Sequence, residues 1–234
     1  MPHGADFRLD VFYQGAVGPR DGMIVNLSDM KPIIADAIAP LDNAWLPDDL
    51  PEFSRVRPTA ENVVKFIWNR LPQTLGDGQL ARLNLDESAH TNVVFDGTHM
   101  KITRKYEFAA AHRLHIPSAG ETENAKLYGK CNNLRGHGHN YGLEVTIEGE
   151  PDAQTGSIIS AAELDRIVDE TVYENYDHKH LNEDCPEFQD LIPTSENLAR
   201  VIFARLAPVL NNGARRLTKI GLHETQKNYF EVEA

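Results

Sequence analysis

The sequence predicts an α+β fold made of two tandem modules, each an antiparallel sheet with helices on one face. Three observations carry this. The elements come in blocks of two strands, two helices and two strands, the pattern of segregated α+β layers. One stretch alternates at period two, with Leu143, Val145 and Ile147 opposed to Glu144, Thr146 and Glu148. A set of short motifs also recurs along the chain in the same order.

The recurrence divides the chain. Gly22 to Met30 lies under Gly156 to Leu164 at an offset of 134. After a one-residue gap, Leu41 to Leu46 lies under Tyr176 to Leu181, Pro51 to Phe53 under Pro186 to Phe188, and Pro58 to Asn62 under Pro193 to Asn197. Leu83 to Glu87 matches Ile220 to Glu224. Such ordered matches make a tandem duplication with a junction near Asp96, Gly97 and Thr98. Residues 1–97 are expected to form a degenerate module, incomplete on its N-terminal side and without a metal site. Residues 98–234 form the complete module. The counterpart of Ile102 to Arg135 is missing from the first, and Pro2 to Phe7 sits under Gly136 to Tyr141 as a worn remnant. Residues kept in both copies are candidates for fold, and residues found only in the second are candidates for chemistry.

In the complete module, Lys101 to Ala109 and Tyr141 to Gly149 read as strands, separated by a long loop rich in Gly, Asn and charge from His115 to Arg135. Ser160 to Tyr173 reads as an amphipathic helix with Ser160 as N-cap and Leu164, Ile167, Val168 and Val172 on one side. A second helix, capped by Thr194 or Ser195, runs to Leu206 and buries Leu198, Val201, Ile202 and Leu206. Leu217 to His223 and Tyr229 to Val232 close the module as a hairpin.

Composition narrows the function classes. The chain has 234 residues, 41% hydrophobic and 25% charged, which excludes a disordered or fibrous protein. No apolar run approaches the ~18 residues of a membrane span, and the opening residues lack a basic-then-apolar signal. Cys131 and Cys185 form no C-x-x-C pair, so a reducing, cytoplasmic setting is expected. A net charge of −12 argues against a nucleic-acid or anionic-membrane surface. An anionic substrate would need a local basic site.

Histidines supply the chemistry. His137 and His139 stand two apart before a strand, so both imidazoles project to one face. His112 follows the preceding strand and joins them if the strands are neighbours. Three imidazoles with an open fourth position are the usual arrangement of catalytic zinc. The competing reading is three surface histidines in a loop. The first copy speaks against it, because it has no counterpart of His112 and carries Ala5 in place of His139.

Phe108 to Leu114 and Leu127 to Tyr141, with the core Gly136-His-Gly-His-Asn-Tyr141, resemble the signature of the 6-pyruvoyltetrahydropterin synthase family. Tyr176 to Leu181, Pro193 to Asn197 and His223 to Thr225 resemble its later motifs in order and spacing. The similarity covers the whole second copy, whereas the first resembles only the family's later portion. It implies tunnelling-fold modules that assemble into barrels, with one zinc per site, and a lyase acting on 7,8-dihydroneopterin triphosphate. The closely similar 6-carboxytetrahydropterin synthases of deazapurine (queuosine) biosynthesis share the same residue set. A non-catalytic pterin-binding or scaffold protein is the alternative of another class.

The resemblance also implies roles. His112, His137 and His139 match the zinc ligands. Cys131 matches the base, its thiolate favoured by metal and nearby cations; a small buried hydrophobe or a fourth ligand are its other readings. Asp177 and His178 match the proton relay, of which the first copy keeps Asp42 but has Asn43 for His178. Glu224 matches the anchor of the pterin, since a carboxylate accepts two adjacent N–H donors. Glu87 in the first copy is either a relic or part of a neighbour's site. Thr194, Ser195 and Glu196 either touch the pterin or cap the helix. Arg113, Lys126, Lys130 and Arg135 form a basic island for the triphosphate or an ordinary solvated loop. Cys185 is expected in the core, and Lys179 and His180 in a solvated loop. Six modules make an ordinary family assembly, so three tandem chains would form a trimer.

Overall fold

The computed structural model describes residues 6–234; the suggested remnant at Pro2 to Ala5 lies outside them. The chain divides into two compact units. The first holds the residues up to Thr103 together with Glu148–Ser160, and the second holds Arg104–Ile147 and Ala161–Ala234.

In the first unit, β1 (Arg8–Gly15), β2 (Gly78–Ser88) and β3 (Thr91–Phe95) form an antiparallel sheet with β2 in the middle. Two helices accompany it, α1 (Leu27–Ile38) and α2 (Ala60–Arg70). Each starts where a polar side chain meets a free amide: Asn26 accepts from the Ser28 N–H, and Thr59 from the Asn62 N–H. The α2 helix packs on β2 and β3. It buries Val63, Val64 and Ile67, and the facing strands bury Leu83, Leu85 and Val93, each such side chain contributing about 1.5–3 kcal/mol.

The second unit is framed by four strands in the order β4 (Met100–His112, which begins in the first unit), β5 (His137–Gly149), β6 (Arg215–Thr225) and β7 (Asn228–Glu233). Its helices α4 (Ala161–Val168) and α5 (Ser195–Leu210) follow the predicted positions, and α5 packs on β6 and β7. The α+β order of strands, helices and strands is therefore observed.

The structure departs from the sequence reading in three ways. The supposed loop contains a helix, α3 (Glu121–Tyr128), which has no apolar stripe to betray it. Its start is fixed by the fully buried Asn124, whose side chain bonds the Ile116 N–H at 2.7 Å and the Ile116 carbonyl at 3.0 Å. Residues Asp169–Tyr173 continue α4 as a π-helical turn. The strands are also longer than expected: β4 runs on to His112 and β5 begins at His137. All three histidines thus stand on strands rather than in loops. Among the described residues, no helix is long and apolar enough to cross a membrane.

Candidate metal and substrate site

The strand ends bring His112, His137 and His139 together, with one ring nitrogen from each within 4.8 Å of the others. Nε2 of His112 and Nε2 of His137 are 3.2 Å apart. Two nitrogens bound to one tetrahedral zinc at 2.0–2.1 Å would be about 3.3 Å apart. The spacing suits a shared ion.

The surroundings also prepare the imidazoles as ligands. His112 is fully buried, and its Nδ1 donates to the Pro193 carbonyl at 2.7 Å. That bond fixes the tautomer and leaves a lone pair on Nε2, as an outer-shell partner does for a metal-bound histidine. Burial, with the nearby His137 and His139, pushes the His112 pKa down to about 4, although the Pro193 carbonyl opposes the shift. Burial lowers His137 too. Both are neutral at pH 7, the form that binds metal. Nδ1 of His137 and Nε2 of His139 are buried without a hydrogen-bond partner, and His139 Nε2 faces the cluster near Glu224. The unpartnered His139 nitrogen beside the cluster calls for a ligand there. Among the described residues this is the single such cluster of His, Cys, Asp or Glu.

Asp177 and His178 lie along the same strand. The Asp177 carboxylate accepts the Ala109 N–H at 2.8 Å with one oxygen and faces His178 Nδ1 at 2.8 Å with the other. Burial raises the Asp177 pKa, but these bonds outweigh it and the carboxyl ends below its usual range. The His178 N–H donates to the Ala109 carbonyl, and Lys179 and His180 pair in parallel with Ala110 and Ala111. The imidazole of His178 is 83% exposed. It opens on a groove of about 490 Å³ that His139, Lys179 and His180 also line. Lys179 and His180 are therefore wall residues of the groove, not a free loop. Gly136, at φ 68°, is needed here: a Cβ would lie 2.7 Å from His180 Nε2 and 2.8 Å from the His112 carbonyl oxygen.

Glu224 stands beside the histidines. Its Oε1 accepts from Ser195 Oγ at 2.7 Å and lies 3.9 Å from Nε2 of both His112 and His139. Its Oε2 accepts from Asn228 at 3.3 Å. Burial raises its pKa, but Ser195, Asn228 and the two imidazoles outweigh that and hold it ionised below the usual range. Cys131 sits half-buried in a 3₁₀ turn, Gly129–Asn132. Burial and the Glu224 charge push its thiol up, opposite to the expected activation in the absence of a cation. Thr194 caps α5, accepting from the Asn197 N–H, and Glu196 is exposed. Cys185 is buried, with its thiol donating to the Asn175 carbonyl at 3.3 Å.

Sequence reasoning missed several supporting groups. Asn228 and the Pro193 carbonyl carry no motif of their own. Asn132 does, inside the Cys131 segment: it accepts from Arg113 at 3.1 Å and bonds His115 at 2.9 Å. Arg113 is therefore partly spent on fixing the turn that carries Cys131.

The family model for 6-pyruvoyl tetrahydropterin synthase matches this chain twice, over residues 1–98 and 101–234. Among relatives, human 6-pyruvoyl tetrahydrobiopterin synthase is 41% identical over 128 residues, covering 55% of this chain and 87% of that protein. The Drosophila melanogaster protein of the same name is 39% identical over 127 residues, covering 54% and 75%. The solved structure of Caenorhabditis elegans 6-pyruvoyl tetrahydropterin synthase superposes with a TM-score of 0.55 at 36% identity, covering 58% of this chain and 96% of that one. With a double match over nearly all of its length and a tunnelling-fold neighbour, the chain belongs to the 6-pyruvoyl tetrahydropterin synthase family.

Proposed function

We propose that this chain is a zinc-dependent lyase converting 7,8-dihydroneopterin triphosphate to 6-pyruvoyltetrahydropterin with loss of triphosphate. The observation that carries it is the convergence of three imidazoles beside Glu224, with His139 also lining the groove on which His178 opens. We assign the catalytic site to the module of residues 98–234, and read residues 1–97 as a module without a metal site. The enzyme works in the cytoplasm as a homo-oligomer, a trimer of tandem chains, and takes neither nucleic acid nor membrane as partner.

His112, His137 and His139 would hold the ion. Zinc there would bind the substrate's side-chain hydroxyls, acidify the adjacent C–H and O–H groups, and offset the charge of Glu224 that raises Cys131. Glu224, kept ionised by Ser195 and Asn228, accepts two N–H donors of the pterin edge. Cys131 removes a side-chain proton. His178, oriented through Nδ1 by Asp177, moves a proton at its Nε2 in the open groove. Thr194 and Ser195 shape the pterin end, Ser195 through Glu224. The basic island of Lys126, Lys130 and Arg135 draws in the triphosphate.

Incubation with 7,8-dihydroneopterin triphosphate and zinc, followed by mass spectrometry, tests this. The pyruvoyl product together with free tripolyphosphate is expected. A 6-carboxytetrahydropterin product would overturn the product assignment. Tight pterin binding with no tripolyphosphate released would overturn the enzyme.

A further inference from the structure

The second copy carries one residue more than the first between matching landmarks. Helices α1 and α4 start at Leu27 and Ala161, 134 positions apart, whereas the left-handed bends after them, at Asn43 and His178, lie 135 apart. The extra residue falls in the π-helical turn Asp169–Tyr173. Before it, Ile33 and Ile34 match Ile167 and Val168; after it, the buried Ala37 matches the buried Val172. One residue added to a plain α-helix turns everything beyond it by about 100°. Here the chain takes it up as a local widening. The Glu174 N–H reaches back five residues to the Asp169 carbonyl, and the Asp177 N–H returns to the four-residue spacing at the Tyr173 carbonyl, 3.0 Å away. Val172 and Tyr176 both stay inward, at 0% exposure.

One side chain secures the widened turn. Asn175 Nδ2 donates to the Glu170 carbonyl at 3.2 Å and to the Thr171 carbonyl at 3.0 Å. The Asn175 carbonyl in turn accepts the Cys185 thiol at 3.3 Å. In the first copy the matching residues are Pro40 and Leu50, which supply neither donor. There Arg70 donates to the carbonyls of Asp36 and Ala37 at 3.3 and 3.0 Å, and the helix runs out in a 3₁₀ turn, Ala39–Leu41. Asn175 and Cys185 thus go with the widening.

The turn leads straight into the relay pair. Burial raises the Tyr173 pKa and the Glu107 main chain lowers it, so the last residue of the turn lies against β4 two residues before Ala109. Asp177 then meets the Ala109 N–H with one oxygen and His178 Nδ1 with the other, both at 2.8 Å. Asp42, beyond the helix that has no widening, is exposed.

We propose that this π-helical turn is the positioning device of the Asp177–His178 pair, and that Asn175 is its positioning residue. By holding the Glu170 and Thr171 carbonyls, Asn175 keeps the turn from relaxing into plain helix. Asp177 then reaches Ala109 and fixes the His178 proton on Nδ1, which leaves Nε2 free in the groove. The consequence for turnover rests on the reading of His178 as the relay; the geometry does not.

The test uses the zinc-loaded protein and two readouts. Nitrogen NMR of the imidazoles, with the His178 signal assigned by its absence from His178→Asn, reports which ring nitrogen holds the proton. Steady-state kinetics with 7,8-dihydroneopterin triphosphate separate kcat from KM. In Asn175→Ala the His178 proton should spread over both nitrogens, with kcat down by ~10-fold or more and KM unchanged, as for a displaced group. Asn175→Ser, whose hydroxyl reaches the carbonyl four residues back, should restore both. Deletion of the exposed Glu170 places Val172 three residues after Val168, as Ala37 follows Ile34, and should reproduce Asn175→Ala. An unchanged His178 spectrum in Asn175→Ala, or a kcat loss that Asn175→Ser does not repair, overturns the proposal. A wild type that releases no tripolyphosphate would defeat the lyase reading, and the spectrum alone would still decide the role of the turn.

Discussion

Asn43 and His178, equivalent positions of the two copies, share a left-handed backbone, with φ of 53° and 57°. Each side chain also bonds the aspartate before it: Asn43 Nδ2 donates to Asp42 at 3.2 Å, and His178 Nδ1 meets Asp177 at 2.8 Å. Asparagine tolerates this backbone better than most residues, and its amide imitates Nδ1 of the imidazole. It has no counterpart of Nε2. The first copy thus keeps the bend and the Asp contact while lacking the group that could move a proton.

His178→Asn should therefore leave the fold intact. Thermal unfolding is expected within about 0.5 kcal/mol of wild type, as for a surface change, while kcat falls by ~10² or more. A loss of stability with kcat unchanged would make His178 structural.

For Cys131→Ala, zinc content by metal analysis and pterin binding should persist, with turnover down by ~10² or more. Loss of zinc in this variant would assign the cysteine as a ligand instead.

Metal analysis of the purified protein should give one zinc per chain, because one histidine cluster exists among the described residues. His137→Ala should remove it. Two equivalents, both lost with that change, would contradict a first module without a metal site.

The pH dependence of the metal-free protein follows from His112, whose pKa is pushed down to about 4 from 6.5. The unfolded chain takes up this proton first, so the stability gained by keeping His112 neutral is complete above pH 6.5. It is lost as pH falls from 6.5 through 4, by about 3 kcal/mol in all. Chemical denaturation of chelated wild type and His112→Gln across that range should show a smaller loss in the variant, the remainder coming from His137, which burial also keeps neutral.

Much of this was legible in the sequence because the repeat acts as an internal comparison. The H-x-H pair at period two, the caps at Thr59 and Thr194, and the alternation in β5 each follow from local geometry. What stayed hidden depends on distant partners. Helix α3 lacks an apolar face and stands on the buried amide of Asn124. The tautomer of His112 is fixed by the carbonyl of Pro193, and every residue has a carbonyl. Glu61 reads as a first-turn acidic residue favoured by the helix dipole, yet it accepts a backbone N–H from 97 positions away.

The strap of residues 177–180 along β4 couples more than positions. The amide of Ala109 is held by Asp177, and the amide of His178 by the Ala109 carbonyl; His112 lies three residues further along the same strand. Hydrogen exchange at these two amides requires the strap to lift, which also releases the strand end that carries His112. The two should exchange at one common rate, as members of a single opening unit. Zinc held by His112 as proposed would favour the closed form and should slow both by the same factor as its concentration is raised; the proposed proton relay and the metal affinity would then drift together under any substitution that loosens this strand.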